Sequence, residues 1–189
     1  MIVIMLADLE HHFLELRGRA FLYEAGRHLF HMGDQVKVMY YVQEGEVRLI
    51  RAQSDGSVLV LQRAGPNSIL AESSLYSDSY HCDAVVATAA STVALPKAQM
   101  RSRLRKSPDF AEVWAKHLAH EVQRSRFQAE ILSLKTVAAR LDVWIAWNTH
   151  LPDRGEWHTI ASQIGVSKEA LYRELSKRRS GHDHNDSTH

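Results

Sequence analysis

Residues 157–179 carry two short apolar patterns on either side of a single glycine, which strongly constrains the C-terminal part of the chain. Ile160, Ala161 and Ile164 fall on one face of a first predicted helix. Gly165 then suits a tight turn, because glycine adopts the left-handed backbone at little cost. The segment therefore predicts two short helices that meet at a turn.

Hydroxyl side chains stand where each predicted helix should begin. Thr159 is the predicted N-cap of the first helix and Ser167 that of the second. A turn between two helices, with polar residues at the start of the second, is typical of a helix-turn-helix that binds DNA. The alternative is an ordinary helical hairpin with a solvated, charged face. We expect Ala170, Leu171 and Leu175 to face inward, and Lys168, Glu169, Tyr172, Arg173, Lys177, Arg178 and Arg179 to face outward.

Charge is divided unevenly along the 189 residues, although the net charge is only +1. Residues 1–96 hold seven Lys and Arg against eleven Asp and Glu, whereas residues 97–181 hold sixteen against nine. This predicts an acidic sensor half and a basic half that meets a polyanion such as DNA. The single cysteine, Cys82, excludes an internal disulfide and a four-cysteine iron–sulfur cluster. With no signal-peptide pattern and no apolar run of ~20 residues, we expect a cytoplasmic protein without a membrane span.

Short strands separated by turns are predicted between residues 20 and 97, after an amphipathic helix over about 6–16. Turn signals include Gly33-Asp34, Glu44-Gly45 and Asp55-Gly56. Short strands at this spacing favour a β-barrel or sandwich. The candidate strands are residues 21–23, 28–30, 38–42, 46–51, 58–61, 84–87 and 92–95.

Gly33-Asp34, followed by Tyr40-Tyr-Val-Gln-Glu-Gly45 and Val47, resembles the cyclic-nucleotide-binding β-roll of the Crp/Fnr family of bacterial transcription regulators. The order of parts over residues 20–179 is similar to that family too. The resemblance implies an α+β fold: a double-stranded β-roll, or cupin-like jelly roll, over 1–107, and a dimerisation helix over 108–134. A helix-turn-helix domain over 135–181 and a disordered tail over 182–189 would follow. The family's two-stranded wing is expected to be missing or vestigial, because no apolar strand pair follows Arg179.

Along one face of the predicted dimerisation helix, small and apolar residues recur at alternating steps of four and three positions. This is the period of a coiled coil. We expect this seam to pair two chains into a homodimer. The alternative is packing against the chain's own β-roll, a role expected instead for the side that carries Phe110 and Trp114. The seam residues are Ala111, Ala115, Leu118, Val122, Ser125, Ala129 and Leu132.

The family resemblance implies roles on the second helix of the helix-turn-helix. Glu169 would accept from a cytosine amino group and Arg173 would contact guanine, which suits the chemistry of both side chains. Lys168 would contact guanine or phosphate. The alternative for Glu169 and Arg173 is a surface ion pair between residues four apart. Further candidates for DNA contact, chiefly to phosphate, are Ser167, Tyr172, Thr159, Lys177, Arg178 and Arg179.

The effector pocket departs from the cyclic-AMP-binding members. Glu72, which would take the ribose hydroxyl, is kept, but Cys82 and Asp83 stand where the phosphate-binding Arg-Ser pair belongs. Losing the bidentate donor and adding a carboxylate predicts weak or no cyclic-nucleotide binding. The effector therefore stays unknown, as does any cofactor. Candidate residues of the effector pocket and its coupling to the long helix are Glu72, Ser73, His81, Cys82, Asp83, Ser125 and Arg126.

Cys82 has three interpretations: a plain buried thiol, a redox or electrophile sensor favoured by His81, or a ligand of haem or another metal. His81 and Cys82 are not expected to share a metal, because adjacent strand residues point to opposite faces. The same rule separates His28 from His31, so the cupin-like enzyme alternative lacks its metal-binding pattern. A dimer that binds a partner other than DNA is a further alternative, and RNA polymerase is a possible partner.

Overall fold

A computed structural model describes residues 12–13, 16, 18–152, 155 and 157–183, with two compact units that divide between His117 and Leu118. The helix predicted over about 6–16 lies mostly outside these residues. Among the residues described, no helix is long and apolar enough to cross a membrane.

The N-terminal unit is built on antiparallel strands whose centre is the pair of two long strands, β3 and β6. The long strand β3 also pairs with β4 and β5, and β6 also pairs with β1 and β2. Most predicted strands are present, but β5 was not predicted. The bounds are β1 Arg19–Tyr23, β2 His28–Phe30, β3 Val38–Ala52, β4 Val58–Ala64, β5 Ser68–Leu70 and β6 Asp83–Pro96.

The turn predicted at Glu44-Gly45 is wrong. Strand β3 runs through this position for 15 residues, and Gly45 lies where its register with β6 shifts. Gly45 has a φ of 79°, and a Cβ there would collide with the Ala89 carbonyl oxygen. The glycine therefore serves a bulge that lets two strand halves continue as one, rather than a reversal of the chain.

Aromatic side chains connect the first part of the long helix to the strands of this unit. Helix α1 spans Lys97–Lys106, and the long helix α2 spans Pro108–Ser133. Phe110 is fully buried, with its ring 6.3 Å from that of Phe13, which in turn lies 5.5 Å from Tyr41 on β3. Phe110 therefore approaches the strands by way of Phe13, which agrees with the packing expected for this side of α2.

The C-terminal unit contains the rest of α2 and three shorter helices around one apolar core. These are α3 Val137–Asn148, α4 Trp157–Gln163 and α5 Lys168–Asp183. The predicted tail begins too early, since α5 continues to Asp183, and residues 184–189 lie outside the described part. The buried core consists of Ile131, Leu141, Trp144, Trp157, Ile160, Ala161, Ile164, Leu171 and Leu175.

One of the two predicted helix caps is correct. The Ser167 Oγ accepts a hydrogen bond of 3.1 Å from the Ala170 N–H at the start of α5. Thr159 lies inside α4, which begins two residues earlier at Trp157. The burial of the Trp157 ring among the core residues explains this earlier start, because it brings that residue into the helix.

Candidate nucleic-acid interface and effector segment

Helix α5 presents a polar face above a buried apolar one. Leu171 is fully buried and Leu175 nearly so, whereas Lys168, Glu169 and Arg173 are exposed on the other side. Lys177 is exposed one turn beyond Arg173. Gly165, with a φ of 65°, makes the turn that leads into this helix, as predicted. Helix α5 thus exposes a hydrogen-bond acceptor, Glu169, and the cations Lys168, Arg173 and Lys177, while its buried face holds the backbone in place.

Glu169 is held at the N-terminus of α5 rather than by Arg173. Hydrogen bonds from its own backbone N–H and from the Ser167 hydroxyl lower the pKa of its carboxyl group. Within the described part of the chain, Glu169 and Arg173 form no ion pair, so the alternative of a mutual surface pair is not realised. Both side chains are exposed to solvent, where a ligand can reach them.

Three residues predicted to face outward from α5 are instead engaged within the C-terminal unit. Tyr172 is half-buried, with its ring 5.3 Å from that of Trp157. The Arg179 Cζ lies 5.7 Å from the centre of the Trp157 ring. Arg178 contacts the carboxylates of Glu174 and Asp142 at 2.8 and 2.7 Å. The prediction treated α5 as a lone helix, whereas α3 and α4 cover part of the face that carries these residues.

Arg140, on α3, was not singled out from the sequence, yet it holds the turn before α5. Its guanidinium donates to the carbonyl oxygens of Ile164 at 3.0 Å and Gly165 at 3.1 Å. It also donates to Leu132 at 3.1 Å and Leu134 at 2.8 Å, at the end of α2. The acceptors lie up to 25 residues away in sequence, so no local pattern could have revealed this contact.

The predicted seam on α2 is exposed over its C-terminal half. Val122 and Leu132 have exposures of 48% and 46%, which is high for large apolar side chains. Ser125 and Ala129, between them on the same face, are also exposed, and so is Arg126 beside it. An apolar stripe left open along a helix is available for contact with a second chain.

The effector segment, residues 71–83 with the candidate effector contacts, begins with a strained residue. Ala71 has a φ of 66°, and it precedes a short 3₁₀ helix at Glu72–Ser74. Glu72 is half-buried, Ser73 is exposed and Ser74 is buried. A left-handed alanine costs free energy that glycine would avoid, so the backbone here is held by its surroundings.

Comparison with known proteins identifies a domain in the N-terminal part of the chain and a relative that spans most of it. Residues 21–107 match the model of the cyclic nucleotide-binding domain. The cyclic AMP receptor protein of Thermus thermophilus is 27% identical over 162 residues, which cover 82% of this chain and 74% of the relative. Over these residues the chain is similar to a Crp/Fnr-type regulator.

Solved structures of Crp/Fnr-family proteins share the fold. FixK2 from Bradyrhizobium japonicum matches with a TM-score of 0.68 at 18% identity, over 88% of this chain and 86% of that one. The c-di-GMP-responsive global regulator CLP of Xanthomonas campestris matches with a TM-score of 0.64 at 20% identity, over 93% and 92%. The antiparallel β-sheet and its helices therefore match the Crp-like fold.

Cys82 occupies a buried position within the residues that match the cyclic nucleotide-binding domain. Its exposure is 2%, whereas the adjacent His81 is exposed. Both residues lie in a bend just before β6, so the rule of strand alternation does not apply to them. Burial raises the pKa of the Cys82 thiol, and the nearby Arg51 offsets this only in part. A raised pKa favours the plain buried thiol over an activated thiolate.

Asp83 turns toward the loop after β2. Its carboxylate accepts a 2.8 Å hydrogen bond from the Met32 N–H and lies 3.4 Å from the His31 Nδ1. Arg51, which the sequence did not point to, donates to the His81 carbonyl oxygen at 3.0 Å. The guanidinium of Arg51 on β3 therefore approaches the effector segment, but it is already bonded to the His81 carbonyl oxygen.

The expectation that His28 and His31 lie on opposite faces is wrong. Their rings stack with centres 4.5 Å apart, because β2 ends at Phe30 and His31 no longer follows the strand alternation. Among the residues described, however, no three His, Cys, Asp or Glu side chains are grouped to hold a metal ion.

Proposed function

We propose that this chain is a homodimeric, sequence-specific DNA-binding transcription regulator of the Crp/Fnr type and not an enzyme. The observation that carries the proposal is the exposed face of α5, where Lys168, Glu169 and Arg173 stand above the buried Leu171 and Leu175. Helices α4 and α5 would form the helix-turn-helix, with α5 in the major groove.

Base recognition follows from the donors and acceptors on α5. Glu169 accepts a hydrogen bond from the cytosine N4 amino group, and Arg173 donates to guanine O6 and N7. Lys168 contacts guanine or phosphate. Ser167, Thr159 and Lys177 position the helix on phosphates. Arg178 and Arg179 contribute less, since each is already engaged within the unit.

Dimerisation places two copies of α5 on one palindrome. The exposed Val122 and Leu132 support pairing of α2 with the same helix of a second chain. Two recognition helices on one face of DNA would contact half-sites about 34 Å apart, one turn of the duplex. A signal at the β-roll changes how the α2 helices pair and so shifts the population that fits the palindrome.

The signal is either a small molecule other than cyclic AMP or a redox change. Cys82 stands where an arginine would bind the phosphate of a cyclic nucleotide, and its side chain is buried. Glu72, Ser73, His81 and Asp83 remain the candidate effector contacts, with Ser125 and Arg126 on α2 as couplers. Arg126→Ala should abolish the response to the signal while DNA binding persists.

The test is selection of a preferred duplex from a random pool, followed by binding measurements with variants. Arg173→Ala should cost about 1–3 kcal/mol on the selected sequence and relax specificity at one position of each half-site. Lys177→Ala is the matched control, because loss of a phosphate contact weakens binding to all sequences alike and lowers the salt slope by about 1. Failure to enrich any sequence would contradict the proposal.

A further inference from the structure

Arg140 joins two helix ends that belong to different parts of the proposed DNA-reading apparatus. Its Nε donates to the Leu134 carbonyl oxygen and its Nη2 to that of Leu132, where α2 ends. Its Nη1 donates to the carbonyl oxygens of Ile164 and Gly165, directly after α4. All four contacts lie within the C-terminal unit.

The location suits a cation for a physical reason. The last carbonyl groups of a helix have no partner within the helix, and they carry the negative end of its dipole. Helices α2 and α4 end at Ser133 and Gln163, so the guanidinium receives one carbonyl from the last turn of α2 and three from residues just beyond the two helix ends. Arg140 thus caps both ends at once and favours one fixed separation between them.

Two further contacts connect the same parts. The Gln128 Nε2 on α2 donates to the Gln163 carbonyl oxygen at 2.9 Å. A Cβ added at Gly165 would lie 2.6 Å from the Leu132 side chain, so the turn approaches α2 as closely as a glycine allows. The end of α2 and the turn before α5 are therefore held as one body.

We propose that Arg140 is a positioning residue that sets the half-site spacing this dimer accepts. The proposal rests on the proposed function, in which α2 pairs with its counterpart and α5 reads bases. If the turn is fixed to α2, the distance and angle between the two α5 helices follow from how the α2 helices pair. Arg140 then controls spacing without itself touching DNA.

Lysine cannot replace Arg140 in this role. Its ammonium keeps the charge, but it presents three donors around one point rather than a planar fork with five. It can satisfy the end of α2 or the end of α4 while leaving the other to water. Arg140→Lys therefore loosens the junction with little change in net charge.

The experiment measures the affinity of the full-length protein for palindromic duplexes whose central spacer differs by one base pair at a time. One base pair moves a half-site by about 3.4 Å and rotates it by roughly 35°. Arg178→Lys is the matched control, because Arg178 bonds α5 to α3 and, among the residues described, forms no hydrogen bond with α2. Circular dichroism checks that each variant is folded.

We expect the wild type to lose roughly tenfold in affinity for each base pair away from its best spacer, since protein or DNA must deform. Arg140→Lys should reduce that loss to about threefold, while Arg178→Lys keeps the tenfold loss. Gln128→Ala, an exposed site, should broaden the profile in the same direction if Arg140→Lys does not fold.

Equal spacing profiles for the wild type and Arg140→Lys would overturn the inference while leaving the proposed function intact. Equal broadening by Arg140→Lys and Arg178→Lys would also overturn it, because the effect would then be general loosening of the unit. A wild type that binds no duplex with a preferred spacer would contradict the proposed function itself.

Discussion

The guanidinium of Arg178 lies 2.7 Å from the carboxylate of Asp142 and joins α5 to α3. The same guanidinium contacts Glu174 at 2.8 Å and donates to the Ala138 carbonyl oxygen at 3.1 Å. Arg178→Ala should therefore lower the free energy of unfolding by about 1–2 kcal/mol, measured by urea denaturation. Much of the loss comes from Glu174, which has only 18% exposure and is left without its partner.

Two controls separate this prediction from a general effect of removing charge. Asp142→Ala breaks one of the three contacts, at a side chain with 64% exposure, and should cost under about 0.5 kcal/mol. Lys177→Ala removes an exposed neighbouring cation and should be close to neutral. If Arg178→Ala is no more destabilising than Lys177→Ala, the assigned structural role of Arg178 is wrong.

Thr149 ends α3 with a φ of 67°, a conformation that is unfavourable for a β-branched residue. A left-handed backbone destabilises a residue with a Cβ by about 1–2 kcal/mol, and glycine removes this strain. Glycine also makes the unfolded chain more flexible, which offsets about 0.4–1 kcal/mol of the gain. Thr149→Gly should thus stabilise the protein by about 0.5–1 kcal/mol in urea denaturation. Thr149→Ala keeps a Cβ and is the control, and equal stability of the two variants would count against backbone strain.

Cys82 should react slowly with thiol reagents in the folded protein. Burial raises the pKa of the Cys82 thiol, so it stays protonated at a pH where the thiol of the unfolded chain, with a pKa of about 8.5, begins to ionise. Since the folded pKa is the higher one, this contribution to stability is complete below about pH 8.5 and is lost as pH rises through the folded pKa. Iodoacetamide at pH 8 should react at least about tenfold faster in urea than in buffer.

The chain has a single cysteine, so this rate reports on Cys82 without interference. Cys82→Ala provides the blank for the assay. Reaction in buffer as fast as in urea would revive the interpretation of Cys82 as a redox or electrophile sensor.

Cyclic AMP and cyclic GMP should give no binding at micromolar concentration in titration calorimetry. The buried thiol of Cys82 offers no charge to a phosphate, and Arg51 is committed to the His81 carbonyl oxygen. The cyclic AMP receptor protein of Thermus thermophilus is the positive control. Micromolar affinity for either nucleotide would show that Arg51 or another group replaces the missing arginine.

Local signals in the sequence predicted local structure well. The glycine turn at Gly165, the Ser167 cap and the alternation of Leu171 and Leu175 with exposed residues depend on neighbours within a few positions. The order of strands and helices was also predicted from patterns of neighbouring residues. These signals also located the exposed face of α5.

Long-range contacts explain what the sequence could not predict. Arg140 bonds to Gly165 across 25 residues and Arg178 to Asp142 across 36, and neither pair lies within one helix. Thr159 was misplaced because burial of Trp157 extends α4 upstream. Gly45 was predicted to form a turn because a β-bulge and a turn both favour a residue that adopts a positive φ easily.

The most direct test of the account compares the affinity of the protein for a selected palindrome with its affinity for the same duplex with one half-site scrambled, at one salt concentration. Two chains per palindrome, and a loss of at least about 100-fold on the scrambled duplex, are predicted because each α5 reads one half-site. A single chain per duplex with equal affinity for both would contradict the paired α2 helices and the reading of DNA by two copies of α5.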